Sequence, residues 1–291
     1  MLGSFCIRDF GRGEAMGTQV GNVGYQVEGS TVVVTLERPE VRNCVDRETS
    51  LALAEAFRRF SADDSLSVAI LTGAEGCFCA GADLKALAGR GSSRPPKPGG
   101  GAGETSRENS VSVDGDGPMG PTRMLLEKPV IAAVEGYAVA GGLELALWCD
   151  LRVAAQDAVF GVYCRRWGVP LVDGGTIRLP RIVGQGVAMD MILTGRGVSG
   201  EEALGVGLVN RLVEPGAALA ESRNLAEELA AFPQRCLRAD RLSALRQWSL
   251  DLDSALVEET VGGLEVIRSG ETAEGAERFA AGSGRHGSFG D

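Results

Sequence analysis

Two stretches put small residues where a strand gives way to a helix. The first is Phe78-Cys79-Ala80-Gly81-Ala82-Asp83-Leu84. The second runs from Lys128 to Leu147, with Glu135-Gly136-Tyr137-Ala138-Val139-Ala140-Gly141-Gly142 as its turn. Glycine and alanine let a ligand carbonyl come close to the backbone. A helix start adds unpaired N–H groups and the positive end of a dipole. Two such N–H groups converging on one oxygen would make an oxyanion hole, a device for charge that develops on an acyl oxygen. Taken singly, each loop is equally an ordinary strand-to-helix turn.

The other reactive side chains limit the chemistry. The one histidine is His286, near the end of the sequence. This excludes histidine-based nucleophilic triads inside the fold and any multi-histidine metal centre. The seven cysteines, Cys6, Cys44, Cys77, Cys79, Cys149, Cys164 and Cys236, are scattered and odd in number. That is the pattern of a reduced compartment, and we expect a cytoplasmic protein, a mitochondrial matrix being the alternative. A net charge of −10 leaves no basic field for nucleic acid. The apolar runs are too short for a membrane span, and the first residues lack the apolar stretch of a secretory signal.

These loops need elements to position them. Residues 1–22 read as a loose arm. Val23–Glu28 and Thr31–Glu37 form a hairpin pattern around Gly29-Ser30. Asp46 caps a helix to about Phe60, with Leu51, Leu53, Ala54, Phe57 and Phe60 as its apolar face. Ser67–Thr72 is a buried strand, and Asp83 opens a short helix. Residues 89–120 are rich in Gly, Pro and Ser and read as a flexible insertion, either a plain surface loop or a lid. A short helix follows at about Pro121–Glu127, then a strand at Pro129–Val134 and a helix from about Gly142. Leu151–Ala155 and Leu208–Val213 are further strands. Residues 173–194 and 199–206 read as helices, as do several segments of 216–281. The order is α/β, with paired strands between helices.

Together the two loops resemble the crotonase (enoyl-CoA hydratase/isomerase) superfamily, over about residues 23–285. Further matches are Arg38-Pro39 followed by Asn43, the run Gly161 to Thr176, and Ala188-Met189-Asp190-Met191-Ile192-Leu193-Thr194-Gly195. Ala203 with Gly207-Leu208-Val209 and Glu274-Gly275 with Arg278-Phe279 continue the pattern. The resemblance implies a spiral of ββα turns over 23–215. It also implies a helical C-terminal region, 216–291, that builds trimers, which often pair into hexamers. The implied substrate is an acyl-CoA thioester, with coenzyme A as part of the substrate and neither cofactor nor metal.

Position by position, the resemblance assigns the oxyanion hole to the N–H groups of Ala82 and Gly141. It makes Glu144 the first of two glutamates that hold water over the double bond in hydratases. The second position is occupied by Cys164, three residues after Phe160-Gly161. Cys164 is then either pocket lining or a weak proton carrier. Asp173 is either a helix N-cap or a carboxylate supplied from the next turn. Ala80, Asp83, Leu84, Lys85, Gly142 and Trp167 are substrate-side candidates. Leu84, Leu87, Val139, Tyr163 and Trp167 could equally be acyl-pocket lining or core. Arg165 and Arg166 could meet CoA phosphates or form intersubunit ion pairs. Hydratase-like chemistry leads, with a double-bond isomerase or other single-carboxylate enolate enzyme as the alternative. A non-catalytic acyl-CoA-binding protein is a third reading.

Overall fold

The computed structural model describes residues 17–88, 109 and 111–284. Most of the 89–120 insertion, residues 1–16 of the arm, the Leu87 side chain and His286 lie outside the described residues. Three strands come first: β1 (Gly17–Val20), β2 (Val23–Glu28) and β3 (Thr31–Leu36). Helix α1 (Arg47–Ala62), strand β4 (Val68–Gly73) and helix α2 (Leu84–Ala88) follow. Next are β5 (Val130–Val134), β6 (Tyr137–Val139) and α3 (Gly141–Trp148). Then come β7 (Leu151–Ala155), β8 (Val159–Gly161), α4 (Gly175–Thr194), β9 (Gly197–Ser199), α5 (Gly200–Gly205) and β10 (Arg211–Val213). Four helices complete the order: α6 (Ala218–Ala231), α7 (Gln234–Arg246), α8 (Leu252–Arg268) and α9 (Glu271–Ala280).

The strands form two sheets. One runs β1-β2-β3-β4-β5-β7-β10, antiparallel through β3 and parallel from there on. The other is β6-β8-β9. Successive turns of the chain give one strand to each sheet and then a helix, so the polypeptide winds as a ββα spiral. Strands β4 and β5 are buried on both faces, which is why they read as unbroken apolar runs. Ala69 and Leu71 face the large core between the sheets, whereas Val68 and Ile70 pack with Leu225 and Ala226 of α6.

Several expectations change. Residues 17–22 are not a free arm, because β1 pairs in register with β2 from Gly17↔Gln26 to Val20↔Val23. Leu51 is 54% exposed, while Leu53, Ala54, Phe57 and Phe60 are buried. At 100° per residue, two positions place Leu51 about opposite Leu53. The expected helix at 121–127 is only a 3-10 turn, Pro121–Arg123. The strand expected at 208–213 shortens to β10, since the N–H groups of Leu208 and Val209 turn back to the Ala203 carbonyl. The end of the insertion is core: Met119 is 1% exposed. Among the described residues, no helix is long and apolar enough to cross a membrane.

Candidate active site

The first loop is fixed from outside. Beyond β4 the chain folds over Gly73, where a Cβ would lie 2.1 Å from the Cys77 carbonyl oxygen. Asn43 Nδ2 donates to the carbonyls of Ala74 (2.9 Å) and Cys77 (2.6 Å). Arg38 donates to the Cys44 carbonyl (2.6 Å) and to Asp83 (2.9 Å). Val45 N–H donates to the Gly81 carbonyl and the Val45 carbonyl accepts from Asp83 N–H, at 2.9 and 3.0 Å. Ala82 is thus held between two backbone bonds. The Arg38-Pro39…Asn43 motif is therefore the brace of this loop.

The second loop lies against the first. Cys79 and Ala138 form a parallel bridge, with Cys79 N–H donating to the Tyr137 carbonyl at 2.8 Å. A Cβ on Gly81 would sit 3.1 Å from the Gly141 nitrogen, and one on Gly142 2.0 Å from the Cys79 carbonyl oxygen. Only glycine allows this approach at 142. Ala140 takes φ 55°, ψ −123°, an uncommon conformation for a residue with a side chain, and its N–H donates to Gly161. This turn starts α3 at Gly141, whose N–H belongs to the unpaired first turn. Among the described residues, neither the Ala82 nor the Gly141 N–H has an acceptor.

Both loops line one cavity of about 450 Å³. Glu144 and Cys164 form part of its wall, as do Asp173, Leu84, Met119 and Trp167. Glu144 is 2% exposed, and its Oε1 accepts from the N–H groups of Asp173 and Gly175, each at 2.9 Å. Burial pushes its carboxyl up to about 7, with the Asp173 charge adding to the rise and the two backbone donors opposing it. Burial and the neighbouring Glu144 charge also raise the Cys164 thiol.

The remaining candidates divide. Ala80, Leu84 and Trp167 line the cavity, the last two exposed at its edge, and so do Val139 and Tyr163. Asp83, Lys85 and Gly142 do not line it. Asp83 accepts from the Lys85 and Ala86 N–H groups at the start of α2, and Gly142 packs on Cys79. Asp173 is not a helix N-cap. Gly174 occupies that position at φ 95°, and the Asp173 carboxylate instead accepts from Met119 N–H (3.0 Å) and the Thr122 hydroxyl. Arg165 and Arg166 donate to the carbonyls of Ile192 and Gly195 at the end of α4. Among the described residues, the basic side chain on the cavity wall is Arg42, with its guanidinium 5.2 Å from the Tyr137 ring. Arg42, Met119 and Thr122 were not singled out by the sequence. Among the described residues, no three His, Cys, Asp or Glu side chains cluster as metal ligands would.

The Glu144 environment predicts a pH effect on stability. An ordinary glutamic acid titrates near 4.5 and this one about 7, so the unfolded chain loses the proton first. Stability then falls as pH rises from 4.5 to 7, by on the order of 3 kcal/mol, and levels off above. Glu144→Gln removes this decline. Urea unfolding at pH 5 and pH 8 should show the variant gaining on the parent at the higher pH. An equal difference at both would refute the raised carboxyl.

Two N–H groups with no acceptor among the described residues line one cavity with a buried carboxyl, an arrangement that can polarise an acyl oxygen and move a proton near it. The enoyl-CoA hydratase/isomerase family model matches residues 26–105 and 122–281. Enoyl-CoA hydratase EchA19 of Mycobacterium tuberculosis is 34% identical over 259 residues, covering 87% of this chain and 91% of its own. (E)-benzylidenesuccinyl-CoA hydratase of Thauera aromatica is 38% identical over 236 residues, covering 81% and 86%. The crystal structure of enoyl-CoA hydratase EchA1 from Mycobacterium marinum superposes with a TM-score of 0.79 at 38% identity, covering 89% of this chain and 96% of that one. The chain belongs to the enoyl-CoA hydratase/isomerase family, with the crotonase fold, and is an enzyme of acyl-CoA thioesters.

Proposed function

We propose that the protein adds water to, or removes it from, an enoyl-CoA, with Ala82 and Gly141 as the oxyanion hole and Glu144 as the proton-transfer group. The observation that carries this reading is Glu144, buried on the wall of the same cavity as two N–H groups that have no acceptor among the described residues. The thioester oxygen accepts from both N–H groups. Ionised Glu144 takes a proton from water as the water oxygen bonds to Cβ, and the displaced electron pair moves to the thioester oxygen. When the C=O reforms, Cα takes the proton back from Glu144. Fixed donors stabilise the enolate without reorganising. Because Glu144 must be ionised, hydration should decline as pH falls below about 7. Ala80, Leu84 and Trp167 would contact the substrate. The relatives' names differ in the acyl part, so family membership does not fix it.

A second reading is favoured by Cys164. With one carboxyl at the two matched positions, proton removal and return without water suits an isomerase or another enolate-forming enzyme. Crotonyl-CoA separates the readings. Loss of the enoyl absorbance with formation of the 3-hydroxy thioester supports hydration. Proton exchange at carbon without water uptake supports the second reading. Binding of the ester with neither would overturn both readings for this acyl group.

We also infer a trimer or hexamer acting in the cytoplasm. Helix α8 exposes Leu252, Leu256, Val257, Val261, Leu264 and Ile267, more apolar surface than a lone helix keeps in water. Light scattering should give about three or six times 30.3 kDa. A stable monomer at micromolar concentration would refute the assembly.

A further inference from the structure

We propose that Arg178 is a positioning residue for Glu144, fastening the 173–175 turn that holds the Glu144 carboxyl to the 3-10 turn at Pro121–Arg123. The inference rests on the reading of Glu144 as the proton-transfer group. Arg178 stands in the first turns of α4. Its Nη1 donates to the Asp173 carbonyl at 2.8 Å and its Nη2 to the Thr122 carbonyl at 2.6 Å. The same Asp173 residue donates its N–H to Glu144 Oε1, and Gly175 supplies the second bond. The Asp173 side chain closes the ring by accepting from Met119 N–H and the Thr122 hydroxyl. Met119 in turn packs on Gly141, where a Cβ would lie 2.6 Å from its sulfur. One guanidinium thus connects the seat of Glu144 to the segment that packs on Gly141.

Glycines leave room for this clamp. A Cβ at Gly174 would sit 2.2 Å from Arg178 Nη1, and one at Gly117 2.4 Å from Asp173 Oδ1. At Gly175 it would lie 3.0 Å from Glu144 Oε1. Arginine suits the task because its planar fork reaches two carbonyls at once, whereas a lysine ammonium is a single point on a flexible stem. Asp173, with donors already on its carboxylate, serves as a tie within this ring.

The clamp also carries charge. Glu144, Asp173, Cys149 and Arg181 face Arg178, while Asp173, Cys164 and Arg178 face Glu144. The Arg178 cation is the group among these that favours ionised Glu144. Losing it should misplace the carboxyl and also make it harder to ionise.

The test measures kcat against pH for the parent, Arg178→Met, Arg178→Lys and Glu144→Gln, with folding checked by circular dichroism. Misplacement of a reacting group by about 1 Å can cost about 10²-fold, and Arg178→Met should lose on that order. Its acidic limb should also move to higher pH. Arg178→Lys should keep the limb near the parent's position but lose about 10-fold in kcat, since one of two carbonyls is released. A folded Arg178→Met with parental kcat, or with lowered kcat and an unmoved limb, overturns the proposal. If Arg178→Met does not fold, Arg178→Lys decides, and parental kcat there overturns it. Should Glu144→Gln match the parent, the reading of Glu144 fails and takes this one with it. An inactive Glu144→Gln beside a normal Arg178→Met sinks the clamp alone.

Discussion

Glu144→Gln is expected to lower turnover of enoyl-CoA by about 10²–10⁴-fold, the range for loss of a general acid–base group. The glutamine amide is nearly isosteric, and its oxygen can still accept from the N–H groups of Asp173 and Gly175 that now hold Oε1. The loop over the site should therefore stay in place. What disappears is a group that can take a proton and return it near neutrality, because an amide does not titrate there. Acyl-CoA affinity should change little, since in the proposed function the thioester oxygen is held by Ala82 and Gly141 and not by Glu144. Turnover within a factor of about ten of the parent at pH 7.5 would sink the assignment. Asp173→Asn would then be the next variant, because Asp173 also lies on the cavity wall.

The parts of this site that were legible in the sequence are the local ones. The two small-residue strand-to-helix turns are visible in the residues themselves, whereas the roles of Ala82, Gly141 and Glu144, which follows Gly141 by three positions, come from the resemblance to the crotonase superfamily. Asp46 as the cap of α1 was legible because its bond is local: its side chain accepts from Thr49, three residues on. What could not be read depends on partners far along the chain. Arg178 meets Thr122 across 56 residues, and Asp173 meets Met119 across 54. Asp173 before Gly174-Gly175 has the local pattern of an N-cap. The carboxylate goes instead to two donors in the 119–122 segment, which offer more than the helix start could. Strands β6, β8 and β9 are three residues each, too short to show a period. They exist because Cys79, Ala138 and Phe160 are stitched side by side, as the parallel bridges record.

Cys164→Glu is expected to raise crotonyl-CoA hydration, by up to about 10²–10⁴-fold if the new carboxyl acts as a full proton-transfer group. Cys164 is 6% exposed, in the 3-10 turn Tyr163–Trp167, and shares the cavity wall with Glu144. Its thiol is pushed upward by burial and by the Glu144 charge, so at neutral pH it stays protonated and gives up that proton reluctantly. A glutamate there would make a pair of carboxyls in one dry pocket. Two such groups do not ionise together, so their proton losses separate and belong to the pair. Near neutrality one carboxyl is charged and the other is not. Adding water across a double bond uses both states at once: a base for the proton of water and an acid for Cα. The rate profile should therefore change from a single acidic limb to a bell. Overpacking could cost about 1–3 kcal/mol, but a cavity of about 450 Å³ adjoins the side chain and offers space for the added atoms. Cys164→Ser gives the counterpart, keeping the size while removing the thiol. An unchanged rate with serine and a higher one with glutamate leaves Glu144 as the group that both takes and returns the proton in the parent. A fall with serine makes the thiol the second proton carrier. A folded Cys164→Glu that hydrates no faster than the parent, while serine is silent, means that another acid already serves the reaction, and the single-carboxylate reading is then wrong.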